Sequence, residues 1–94
     1  MVVAIKSGAT VTLNCSHSIE NYEVILWYKQ QRNDKQLELL GYIYTEIANP
    51  EKGMHVEMSG SAYRDQTARL TIQNISVETS AMYFCAARFH NAAN

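Results

Sequence analysis

Two cysteines and three histidines are the side chains in this sequence best suited to chemistry. Cys15 and Cys85 stand seventy residues apart. By their number alone they are either two buried free thiols or one disulfide bridge. A bridge would close most of the chain into a loop and, in chain-entropy terms, stabilise the fold by about 4 kcal/mol. His17, His55 and His90 share no spacing that would direct them to one metal ion, so they read as surface residues, and no cofactor is implied. Nucleophilic catalysis needs a base and an orienting group around a Ser or Cys, and no such local signature occurs. The four glycines are dispersed rather than gathered into a phosphate-cradling loop. The sequence therefore predicts a protein that is not an enzyme, with no catalytic residues.

Ninety-four residues are expected to form one domain over 1–94. A chain of this size buries roughly 60–65% of the surface that its unfolded form exposes, an adequate but thin core. Hydrophobic residues make up 47% and charged residues 18%, ordinary values for a globular domain. Net charge is −1, and the eight Lys and Arg are spread from Lys6 to Arg88. A nucleic-acid or anionic-lipid surface would need them clustered. No apolar run approaches the roughly 20 residues of a membrane span. The opening "MVVAIKSGATVTL" lacks the charged and apolar regions of a signal peptide, and Met1 is expected to begin an excised fragment.

Short segments of period two must position these residues. "ATVTLNCS" alternates Val11, Leu13 and Cys15 against Thr10, Thr12 and Asn14. "EVILWYKQQ" is aromatic and β-branched, and the turn-prone "RNDKQ" follows. "LELLGYIYT" reads as a third strand and "ANPEKG" as a loop. "MHVEM" alternates again, then "TARLTIQN" sets Ala68, Leu70 and Ile72 against Thr67, Arg69, Thr71 and Gln73. "ISVETS" is a connector and "AMYFCAAR" a last strand. Helical spacing is absent, so about seven short strands imply an all-β antiparallel sandwich or small barrel.

Trp27 follows Cys15 by twelve residues, and Tyr83 precedes Cys85 by two. The series "C…WYKQ…LLGYIY…ARLTIQNISVETSAMYFCAA" resembles an immunoglobulin-superfamily variable (V-set) domain along almost the whole chain. Within that superfamily "LWYKQQRNDKQLELLGYIY" and "YFCAA" look most like a T-cell receptor β-chain variable domain, and the combination is similar to β chains of bony fish. The resemblance implies a two-sheet sandwich with Cys15 bridged to Cys85 between the sheets. Trp27, Leu70, Ile72 and Tyr83 would lie in the core, the Tyr83 hydroxyl pinning the preceding corner. Two departures are visible. Thr79 stands where the family usually carries Asp, leaving Arg64 to pair instead with Glu78 or Asp65. The Phe-Gly-x-Gly of a last (G) strand is absent after "CAAR", as in a germline variable segment, so that strand is expected to be missing.

With Trp27 and Cys85 inward, period two sends Tyr28, Gln30, Leu37, Leu39 and Phe84 outward on one sheet. In the family that face pairs two variable domains, so the implied partner is a receptor α-like chain or a second copy. Loops at one end would face ligand, with Ser18, Asn21, Tyr22 and Glu23 from the first, Thr45, Glu46 and Asn49 from the second, and Arg88 beyond the last strand. "GSAYR", Gly60 to Arg64, corresponds to a fourth loop. Asn74-Ile75-Ser76 is a plausible glycosylation sequon. Asn14-Cys15-Ser16 is a poor one, because Asn14 lies inside a strand and Cys15 should be bridged. The implied ligand is peptide–MHC, the expected location the extracellular face of the plasma membrane, with attachment only through segments beyond this chain. Two alternatives stand beside this reading: a V-type innate or adhesion receptor, such as a non-rearranging immune-type receptor of fish, and a structural domain of an adhesion protein.

Overall fold

A computed structural model describes residues 9–31, 36–54, 56–75 and 81–89. Seven strands run through them: β1 (Ala9–Ser16), β2 (Tyr22–Gln31), β3 (Glu38–Tyr44), β4 (Ile47–Pro50), β5 (Val56–Gly60), β6 (Thr67–Ile75) and β7 (Ala81–Phe89). They form two antiparallel sheets, one ordered β1-β6-β5 and the other β4-β3-β2-β7. Residues 32–35 of the linker "RNDKQ", residues 76–80 of the connector "ISVETS" and His55 lie outside the described residues, and Ile75, expected in that connector, ends β6.

Alternation explains why these segments pair as they do. In β1, Leu13 and Cys15 are buried while Thr12 and Asn14 are exposed; in β6, Ala68, Leu70 and Ile72 are buried opposite them. A one-residue slip would turn each inward set to solvent, so the buried face fixes the register Leu13↔Leu70 and Cys15↔Ala68. The other sheet contributes Ile25, Trp27, Leu40, Ile43 and Tyr83 to the same core. Cys15 and Cys85 are bridged across the two sheets, with S–S 2.07 Å and Cα–Cα 6.4 Å. Trp27, fully buried, lies beside Cys85 on the neighbouring strand. Among the described residues nothing accepts its indole N–H, a cost of about 1–3 kcal/mol that the buried ring surface must offset.

The second and third strands are offset by an irregularity between Trp27 and Tyr28, where the β3 partner moves from Gly41 to Leu39. Gly41 makes this join possible. A Cβ there would stand 2.7 Å from the Asn49 carbonyl oxygen and 2.6 Å from Met58 Cε. The expected loop "ANPEKG" needs correction: Ile47–Pro50 is a strand, β4, on the edge of its sheet. Pro50 is its last residue, a position where a proline breaks no ladder. The turn comes afterwards, where the Met54 N–H donates to the Glu51 carbonyl (3.1 Å). Of the segment "MHVEM", Val56 to Met58 lie in β5 and Met54 lies outside it.

Tyr83 is buried, and desolvation raises its hydroxyl above the ordinary tyrosine value. The corner it was expected to pin lies outside the described residues, as do Glu78 and Thr79.

Candidate functional site

Antiparallel pairing brings three chain reversals to one end of the sandwich. Residues 17–21 join β1 to β2, Thr45-Glu46 turn β3 into β4, and 61–66 join β5 to β6. The end of β7 arrives beside them, since Tyr22 pairs with Phe89 and Val24 with Arg88.

Backbone hydrogen bonds tie these segments together. The Tyr22 N–H donates to the Ile19 carbonyl (3.3 Å), closing a turn in which Asn21 takes a left-handed φ of 68°. Asparagine tolerates that conformation, whereas Thr45 at φ 56° is β-branched and costs about 1–2 kcal/mol. Thr45 is held there from both sides. Its N–H donates to the Glu23 carbonyl (2.8 Å), and its carbonyl accepts from the Ala62 N–H (2.7 Å). A strained residue with both backbone groups engaged makes a stiff second turn.

His17 is half-buried and links the first loop to the fourth, so the expectation of a plain surface histidine does not hold for it. Its Nε2–H donates to the Ala62 carbonyl (2.7 Å), and its Nδ1 accepts the Ile19 N–H (3.1 Å). One nitrogen donating and the other accepting defines a neutral ring with the proton on Nε2. The Asp65 N–H donates to the His17 carbonyl (2.8 Å). His90 and His55 lie outside the described residues. Rings continue the end surface: His17 and Tyr22 have centroids 6.2 Å apart, and Tyr22 and Phe89 meet edge-on at 6.4 Å. Arg64 finds Asp65 (3.7 Å) and Glu20 (3.8 Å), all more than half exposed, so these pairs contribute about 0–1 kcal/mol.

The expected ligand-facing residues divide on this frame. Ser18, Asn21, Glu46 and Arg88 are exposed at the loop end, with Tyr22, Glu23 and Thr45 half-buried among them. Asn49 is not at a loop tip: it sits in β4, and its Nδ2–H donates to the Ile47 carbonyl (3.1 Å). Four large hydrophobic residues that spacing did not single out join the end surface. They are Ile19 (48% exposed), Ile47 (59%), Tyr63 (39%) and Phe89 (46%), from six such residues exposed among those described.

The outer face of the four-stranded sheet is a second surface. Leu39, Tyr28 and Phe84 stand side by side on β3, β2 and β7. Tyr42, Leu26 and Ala86 form the adjoining row. Gln30 pairs with Met82, while Leu37 precedes β3 and is exposed. Leu26 and Tyr42 were missing from the expected face. A cavity of about 630 Å³ opens between the sheets at the opposite end, lined by Lys29, Leu40, Met54, Val56, Glu57 and Tyr83 among others. Lys29 there is neutralised by Glu38 (3.3 Å). Among the described residues no three His, Cys, Asp or Glu side chains gather into a metal site.

Two facing sheets in this order, one bridge between them and a tryptophan packed beside it define a variable-type immunoglobulin domain. The match to known families agrees over residues 1–94, and the chain belongs to the immunoglobulin V-set domain family. Its curated relatives are receptor domains rather than enzymes. It is similar to human T cell receptor alpha variable 36/delta variable 7, at 31% identity over 87 residues, covering 89% of this chain and 71% of that one. Human T cell receptor beta variable 12-5 is 34% identical over 80 residues, covering 84% and 68%. Relatives of both alpha and beta type thus occur at modest identity. Among solved structures, a chain from work on T cell specificity and activation by the bacterial superantigen toxic shock syndrome toxin-1 aligns with a TM-score of 0.77. It is 22% identical and spans 95% of this chain and 76% of its own, a likeness of fold. The protein is an antigen-receptor-type variable domain, whose T-cell receptor homologues are extracellular ectodomains. Among the described residues no helix is long and apolar enough to cross a membrane.

Proposed function

We propose that residues 1–94 form one variable domain of a T-cell receptor chain, pairing side by side with a second variable domain and presenting its loop end to peptide–MHC at the outer face of the plasma membrane. One observation carries this reading. The apolar outer face of the four-stranded sheet runs directly into the end where Ile19, Ile47, Tyr63 and Phe89 are exposed. A pairing face contiguous with a loop end lets two domains build one composite ligand surface.

Tyr28, Gln30, Leu39 and Phe84, with Leu26 and Tyr42, form the centre of the pairing face and Leu37 its rim. A receptor α-like chain is the preferred partner and a second copy the substitute. Tyr22, Asn21, Ser18, Glu23, Glu46 and Arg88 contact ligand, Tyr22 supplying aromatic area at low entropic cost. Thr45 acts by holding its turn. Attachment to the membrane comes from segments outside this chain.

The experiment mixes the chain with an α-type variable domain and follows sedimentation. The pair should form a 1:1 complex, bind a displayed peptide–MHC panel, and lose at least about tenfold in affinity on Tyr22→Ala. A chain that stays monomeric with every α-type domain, and binds equally well with Tyr22→Ala, contradicts the proposal.

A further inference from the structure

The outer face of the three-stranded sheet bears a motif that the recognition function leaves unused. Asn14-Cys15-Ser16 has the Asn-x-Ser pattern of an N-glycosylation acceptor. Two objections count against it in the sequence, namely that Asn14 lies inside a strand and that Cys15 is bridged. The structure answers both.

The strand position is no obstacle because of the alternation in β1. Leu13 and Cys15 turn inward, at 6% and 7% exposed, which places Asn14 and Ser16 on the solvent side. Both are exposed, and no described residue engages the Asn14 side-chain amide. The surface around it is polar: Arg69 lies opposite Asn14 on β6, and Thr12 and Thr71 share a hydroxyl hydrogen bond (3.2 Å) one row away. A glycan lying over these residues covers no apolar surface and displaces no core contact.

The bridge is no obstacle because of chain order. Cys15 leaves the ribosome 70 residues ahead of the Cys85 with which it pairs. At about 5–20 residues per second, that gap leaves the sequon unbridged for about 4–14 s. During this interval no bridge holds the sequon out of the extended conformation that an acceptor needs.

We propose that Asn14 is an N-glycosylation site whose glycan covers the outer face of the three-stranded sheet. In the transfer, the Asn14 amide nitrogen forms a bond to the anomeric carbon of a lipid-diphosphate-linked oligosaccharide. The carbon–oxygen bond to the diphosphate breaks, the lipid diphosphate leaves with the electron pair, and the amide gives up one proton. A glycan here leaves the four-stranded sheet as the face free for association. The inference rests on the reading of the chain as an extracellular domain.

The chain is secreted from animal cells behind a cleavable leader, its free thiols are counted in denaturant, and the Asn14 peptide is mapped before and after peptide:N-glycosidase treatment. Glycosidase should convert Asn14 to Asp in bridged, secreted protein. The glycan shift should persist in Asn74→Gln, which removes the other sequon, and disappear from that background on adding Asn14→Gln. Ser16→Ala serves as the second variant should Asn14→Gln fail to fold, and Ser16→Thr should raise occupancy. Secreted, bridged protein with Asn14 unmodified overturns the site while leaving the extracellular reading intact. A folded chain that passes through the lumen with both thiols free and Asn14 unmodified overturns the extracellular reading and the site with it.

Discussion

On the outer face of the three-stranded sheet, β1 and β6 present Thr12, Asn14, Arg69 and Thr71. On the outer face of the four-stranded sheet, β2, β3 and β7 present Leu26, Tyr28, Leu39, Tyr42 and Phe84. Both sheets use the same alternation, feed the same core and are joined by one bridge. Folding requires the inward set of each sheet and is indifferent to most of the outward set. The fold does not call for the apolar character of that outer face, and the proposed pairing with a second domain accounts for it. The polar face sets the baseline that the fold alone would produce.

The largest expected effect comes from cutting what the two sheets share. Replacing Cys15 and Cys85 together by Ala should lower the unfolding free energy by about 4 kcal/mol, read from urea denaturation, and should loosen both sheets in one transition. Unfolding of one sheet alone would break the picture of a common core.

Next comes a contrast between inward and outward leucines. Leu70→Ala, at a fully buried position, should cost about 2–5 kcal/mol, whereas Leu39→Ala on the outer face should cost the monomer under about 1 kcal/mol. Equal losses in urea would mean that the outer face is part of the folding core.

The smallest effect concerns pH. Burial raises the Tyr83 hydroxyl above its unfolded value, so the folded state holds this proton more tightly. The resulting stability is complete below about pH 10 and is lost as pH rises from there through the folded value. Tyr83→Phe should flatten the alkaline limb of a stability–pH curve. An unchanged limb would show that other groups set it.

Much of the fold was legible because buried faces impose period two. Val11, Leu13 and Cys15, and then Ala68, Leu70 and Ile72, mark β1 and β6 unaided. β4 was not legible: it lies on an edge, is mostly exposed and ends in Pro50, so no hydrophobic alternation announces it. The outer face of the four-stranded sheet was half legible. Alternation from the inward Trp27 puts its neighbour Tyr28 outward, but the irregularity between them puts Leu39 and Tyr42, three residues apart, on one face. His17 left no trace in the sequence because it is held by backbone groups, the Ala62 carbonyl among them, which any residue type could supply.

The central claim is that one outer face, and not the other, joins this domain to a second. Sedimentation of the chain with an α-type variable domain, comparing Phe84→Asp with Arg69→Glu, tests it directly. The account predicts that Phe84→Asp weakens association by at least about thirty-fold, as expected at the centre of an interface, while Arg69→Glu leaves it within about twofold. Association that survives Phe84→Asp in a folded protein, or falls equally with Arg69→Glu, would contradict it.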